Sequence, residues 1–131
     1  MRLLLDTHIW LWSLLAPTHL SRRVARELEK RDNELWLSPI NTWELLVLVQ
    51  RGRVILDQDV WRWVNEALAK VPMSEAPLSH EIALESRRVD VQHEDPADRF
   101  LAATAKVLDL TLVTADERLK RCKTFSVLAN R

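Results

Sequence analysis

The chain has 131 residues, 47% of them hydrophobic, and its 19 basic and 19 acidic side chains give a formal net charge of zero. That size and apolar content suit a single domain, residues 1–131, with a sizeable core, and the balanced charge excludes a global field that would gather polyanions. Cys122 is the only cysteine and no apolar run approaches a signal or membrane-spanning length, so the expectation is a cytoplasmic protein without disulfides and without a membrane partner.

Strand and helix signals alternate along the chain without repeats or low-complexity tracts, a pattern that predicts a parallel sheet covered on both faces. A first strand over residues 2–5 leads into an apolar helix over 7–15 that Pro17 ends. Ser21 caps a charged helix running to about Asp32, with Val24, Ala25 and Leu28 inward. A second strand over 34–37 precedes a helix that starts at Ser38-Pro39 and runs to about Gln50, where Gly52 stops it. Helical spacing of Val60, Trp63, Val64, Ala67 and Leu68 predicts a helix over 57–69, and 71–77 holds a weak strand. Helices over 79–89 and 96–108 follow, then a strand over 111–114, a short helix over 117–121 and a last strand over 125–128.

Four acidic residues far apart in the chain, Asp6, Glu44, Asp98 and Asp116, converge on one edge of such a sheet. Asp6 and Asp116 follow strands, while Asp98 lies in the first turn and Glu44 in the second turn of helices that begin beside the strand tips, the edge where open α/β sheets bind ligands. Helix capping also accounts for Asp6, Asp98 and Asp116 taken singly, since a carboxylate accepts the free N–H groups of a first turn. Glu44 is different: it lies beyond the uncapped donors, and no Lys or Arg stands three or four residues away to pair with it. If the four meet, each pair about 4 Å apart repels by roughly 4 kcal/mol at an effective dielectric near 20. Raised pKa values or a divalent cation must relieve that repulsion, and all-oxygen donors favour Mg²⁺, with Mn²⁺ as the alternative. Such centres bind phosphate and suit phosphodiester hydrolysis by metal-activated water.

The strings Leu3-Leu4-Leu5-Asp6-Thr7-His8, Trp43-Glu44-Leu45 after Ser38-Pro39, His93 to Arg99 leading into Ala102-Ala103, and Leu112-Val113-Thr114-Ala115-Asp116 stand in this order over nearly the whole chain. In that order and spacing the chain resembles PIN-domain proteins, specifically VapC-type toxins of type II toxin-antitoxin pairs. The resemblance implies a three-layer α/β/α domain whose parallel sheet of four to five strands has the order 3-2-1-4-5. It implies a Mg²⁺-dependent endoribonuclease with Asp6, Glu44, Asp98 and Asp116 as its acidic quartet. Asp6 and Asp98 would be direct ligands, Glu44 and Asp116 would hold a second ion or ordered waters, and Thr114 would orient one of these. RNA as substrate, a cognate VapB-type antitoxin and a homodimer are the implied partners. Asp95 is accounted for as the N-cap before Pro96, and His8 and His93 as residues outside the ligand set.

Basic residues cluster at Arg22-Arg23 with Arg26, at Arg51 with Arg53, at Arg87-Arg88 and along 118–123, where solvated helix faces account for most of them. Arg51, Arg53 and Arg99 are the candidates to contact phosphates near the site. The first helix is apolar around its circumference, which suits either a core filled on two sides or a docking face. Three rival functions remain. A phosphoacceptor receiver expects a lysine where Thr114-Ala115-Asp116 stands, and an aspartate-nucleophile phosphatase expects a second acid where His8 stands. A catalytically inactive PIN-like module that binds RNA or protein is the remaining alternative.

Overall fold

A computed structural model describes residues 1–92 and 94–131; His93 lies outside the described residues. Five parallel strands, β1 (Arg2–Leu5), β2 (Glu34–Leu37), β3 (Ser74–Glu75), β4 (Thr111–Thr114) and β5 (Ser126–Ala129), form one sheet in the order β3-β2-β1-β4-β5. The expected order and layering are therefore present. In the centre, Leu3, Leu4 and Leu5 stand opposite Thr111, Leu112 and Val113.

Helices bury both faces, which explains why β1 and β4 are almost continuously apolar rather than alternating. Leu3, Leu5 and Val113 point to one side, against Ile9, Trp10 and Leu11 of α1 (Thr7–Leu15), Val24 of α2 (Arg22–Glu29), Leu45 of α3 (Pro39–Gln50) and Trp63 of α4 (Val60–Lys70). Leu4 and Leu112 point to the other, against Leu101, Ala102 and Ala105 of α6 (Pro96–Leu108) and Leu119 of α7 (Glu117–Lys120). Leu3, Leu4 and Leu112 are fully buried, each worth about 1.5 to 3 kcal/mol of transfer free energy. The Trp10 and Trp63 rings meet edge to face with centroids 5.8 Å apart. Thus most of α1 fills the core, while Leu15 at its end stays half exposed.

Several ends differ from the expectation, each for a local reason. The second helix stops at Glu29 instead of Asp32, because Lys30 turns extended and Asn33 donates from Nδ2 to both the backbone and the carboxylate of Glu27. α4 begins at Val60 instead of 57, because Asp59 accepts the Arg62 N–H and sets the cap there. α5 (His80–Ser86) ends short of Val89. Its cause lies in α6: buried Arg99 donates Nε to the Ser86 carbonyl at 2.8 Å, Nη1 to Val91 at 2.8 Å and Nη2 to Val89 at 3.2 Å. A guanidinium that satisfies carbonyls in a fork offers the chain an alternative to another helical turn. β5 lies one residue later than expected. Gly52 does end α3, at φ 70°, where a side chain would be strained.

Because β2 lies on one side of β1 and β4 on the other, the chain reverses direction across the sheet beside the first strand. The crevice at the carboxyl ends of β1 and β4 is where this topology places a ligand.

Candidate metal centre

One half of this crevice is built on strand tips. The Asp6 N–H donates to the Val113 carbonyl at 3.0 Å, continuing the ladder one residue past β1. Its carboxylate Oδ1 then accepts the Thr7 N–H at 2.6 Å and starts α1, while Oδ2 accepts the Thr114 hydroxyl at 2.6 Å. Thr114 Oγ1 in turn accepts the Asp116 N–H at 3.0 Å, and Asp116 Oδ1 caps α7 by accepting the Arg118 N–H at 2.8 Å. The guanidinium Nε of Arg118 lies 3.7 Å from the same oxygen. One buried hydroxyl therefore fixes both aspartates. Burial pushes the Asp6 carboxyl above its ordinary range, opposed by the Thr114 hydrogen bond and the His8 imidazole.

The other half is built on two helix starts. Ser38 Oγ accepts the Ile40 N–H at 3.0 Å, and Asn41 Oδ1 accepts the Ser38 N–H at 2.9 Å, closing a reciprocal cap around Pro39. Buried Asn41 also donates Nδ2 to Thr7 Oγ1 at 2.9 Å, and the Thr7 side chain favours the ionised form of Glu44. Across the crevice, Asp95 Oδ1 caps α6 by accepting the Ala97 and Asp98 N–H groups at 2.9 and 3.3 Å. This places Asp98, 9% exposed, in the first turn. One carboxylate oxygen from each of Glu44, Asp95 and Asp98 lies within 4.8 Å of the others.

Charges so close in a half-buried setting resist ionisation. Burial is the largest cause for Asp98, followed by the charges of Asp6, Asp95, Glu44 and Asp116, and together they push its carboxyl up to about 8. Glu44 is raised too, chiefly by burial and less by Asp6 and Asp95, with the Thr7 hydrogen bond opposing.

Asp6, Glu44, Asp98 and Asp116 thus line one cleft of about 330 Å³, together with His8, Trp12, Asp95, Ala115 and Arg118. The expected quartet converges, and Thr114 stands between two of its members. Asp95, expected only as a cap, joins the closest group of carboxylates. The Asn41–Thr7 bond that links this cap to the start of α1 has no signal in the sequence beyond Thr7's place after Asp6 and Asn41's place in the Ser38-Pro39 cap. Arg99 is not among the residues lining the cleft; it is buried and donates to the carbonyls of Ser86, Val89 and Val91. Arg51 and Arg53 are also displaced, lying beyond the carboxyl end of α3, opposite the end that carries Ser38. His8 sits in the cleft wall, its ring 5.8 Å from that of Trp12.

The donor set fits a hard divalent cation. Its closest members are all carboxylate oxygens, the ligands that Mg²⁺ and Mn²⁺ prefer. A bound cation would offset repulsion of roughly 3 to 4 kcal/mol per pair at these separations for an effective dielectric near 20.

A family model for the PIN domain matches residues 3–124, a span that includes every acidic residue of the cleft. Ribonuclease VapC22 of Mycobacterium tuberculosis (strain ATCC 25618 / H37Rv) is 32% identical over 120 residues, which cover 89% of this chain and 88% of the relative. Among solved structures, VapBC2 from Rickettsia felis, bound to a DNA fragment from their promoter, superposes with a TM-score of 0.73 at 17% identity, covering 98% of both chains. VapBC-5 from Mycobacterium tuberculosis, a member of the VapBC family of toxin-antitoxin systems, gives a TM-score of 0.61 at 17% identity, again over 98% of both chains. At these identities the structural likeness is one of fold.

Proposed function

The chain belongs to the PIN domain family, and from that premise we propose that it is a Mg²⁺-dependent endoribonuclease that acts as the toxin of a type II toxin-antitoxin pair. The observation that carries this is the cleft of carboxylates at the carboxyl ends of β1 and β4. Support for RNA comes from the relative named a ribonuclease. Support for a VapB-type antitoxin comes from neighbours of the same fold described as toxin-antitoxin complexes.

When bound, Mg²⁺ supplies the charge that activates a water and stabilises the leaving oxygen of the phosphodiester. Asp6 and Asp98 are the residues to hold the ion, with Glu44 and Asp116 holding a second ion or ordered waters, and Asp95 adding a fifth carboxylate. Thr114 keeps Asp6 and Asp116 in register through its hydroxyl. Asp98 retains its proton near neutral pH while the cluster lacks a cation, and would have to give it up to serve as an ionised ligand. Trp12 and Ala115 form the apolar part of the wall. The chain is proposed as a single PIN domain working in the cytoplasm as a homodimer. Exposed Trp61, Leu84 and Ile55 supply apolar surface for partners. No helix among the described residues is long and apolar enough to cross a membrane.

The test is cleavage of RNA by the purified, partner-free protein with Mg²⁺ and with chelator, repeated on Asp6→Asn. Cleavage is expected to need the metal and to fall by roughly 10² to 10³ in the variant, with the fold intact by circular dichroism. Undiminished metal-dependent cleavage by the variant would sink the mechanism. Binding of RNA without turnover would favour a non-catalytic module.

A further inference from the structure

A second depression, about 420 Å³, opens beside the acidic cleft and is lined by Asp90, Gln92, Arg118, Arg121, Cys122 and Lys123. Arg118 lines both. Three cations face one carboxylate in this groove, whereas the neighbouring cleft gathers five carboxylates. In a chain of zero net charge, this is an abrupt local change of sign. We propose that the groove is a phosphate-binding track for single-stranded RNA, seating the backbone next to the phosphate that is cut. It rests on the ribonuclease reading of the cleft and adds the direction in which the strand leaves it.

The physical need is clear from charge alone. A cation in the cleft compensates the reacting phosphate, but the next phosphates along the strand would meet the same carboxylates unless basic side chains receive them. Arg118 stands at the boundary, its Nε 3.7 Å from Asp116 Oδ1 and its side chain 58% exposed. Arg121 and Lys123 are exposed and continue the line.

The groove is also held in shape. Cys122 Sγ donates to the Asp90 carbonyl at 3.1 Å, joining the turn after α7 to the loop after α5. That loop is pinned from beneath by Arg99, through the Val89 and Val91 carbonyls. Positioned cations lose less entropy on binding than cations on mobile arms. Backbone contacts of this kind carry affinity and set register while leaving base identity unread.

The experiment compares Arg121→Gln/Lys123→Gln with the parent and with Arg51→Gln/Arg53→Gln, whose side chains lie at the far end of α3. Binding of a fluorescein-labelled, mixed-sequence 12-nucleotide RNA is followed by anisotropy across a salt series with Mn²⁺, each pair placed in the slow-cleaving Asp6→Asn protein. Cleavage by the pairs is measured in the otherwise unaltered chain. The groove pair is expected to raise Kd and KM about tenfold, leave kcat unchanged and flatten the log Kd against log salt slope by about 1.4. Mn²⁺ should raise the Tm of the groove pair as much as it raises that of the parent. The control pair should match the parent. Unchanged Kd in the groove pair, or an equal loss in the control pair, would overturn the track while leaving the ribonuclease intact. If the unaltered chain neither binds nor cuts RNA with Mn²⁺, the ribonuclease reading falls and the track with it.

Discussion

The two halves of the cleft are made of the same side chains and solve opposite problems. On the strand side, Asp6 has a donor on each carboxylate oxygen and Asp116 is tied to it through Thr114. On the helix side, Glu44, Asp95 and Asp98 bring oxygens within 4.8 Å of one another, and Asp98 is pushed up to about 8. The first half is an anchor whose geometry is set by folding. The second is a store of repulsion that a cation would release. A phosphodiesterase centre needs both, because an ion must be attracted strongly and yet held in one place.

The contrast is broken most strongly by pH. In the metal-free protein Asp98 keeps its proton to about 8, while the unfolded chain gives it up near 3.8. The native state then binds the extra proton, so its stability falls as pH climbs through that window and levels off above it. Asp98→Asn removes this dependence. The Tm difference, variant minus wild type in chelator, should rise from about pH 4 to about pH 8; a constant difference would show that Asp98 titrates alike in the folded and unfolded chain.

Asp95→Asn sharpens the comparison with a smaller effect. Asparagine caps a helix as well as aspartate does, so stability should hardly change. If the Asp95 charge serves the ion, Mg²⁺ affinity from a thermal-shift titration should fall about tenfold to a hundredfold. Unaltered affinity would return Asp95 to capping alone. The smallest effect belongs to the anchor. Thr114→Val removes the hydroxyl shared by Asp6 and Asp116, and should lower the stability from urea unfolding by about 1 kcal/mol. Loss of less than a few tenths would mean that the two aspartates are held by their caps and not by each other.

The parallel sheet and the meeting of the four carboxylates in one cleft were legible because their signals are local. Leu3 to Leu5 and Leu112-Val113 are apolar runs bounded by acids, and Pro39 and Pro96 mark helix starts beside the strand tips. What escaped was the second use of residues whose first use sufficed. Asp95 caps α6, and nothing in its neighbours announces that it also faces Glu44. Arg99 follows Asp98 of the cleft and so reads as a phosphate contact, yet among the described residues it donates to the carbonyls of residues 86, 89 and 91. Those contacts join distant segments, and no periodicity encodes them. The early end of α5 has the same cause.

Asp6 and Asp116 each start a helix with an oxygen that asparagine would still provide. An aspartate codon becomes an asparagine codon by a single base transition. The proposed activity is therefore separated from silence by one inherited letter, with a folded protein on either side of the change. A lineage burdened by this enzyme could shed the chemistry and keep the molecule, along with every surface by which its partners know it.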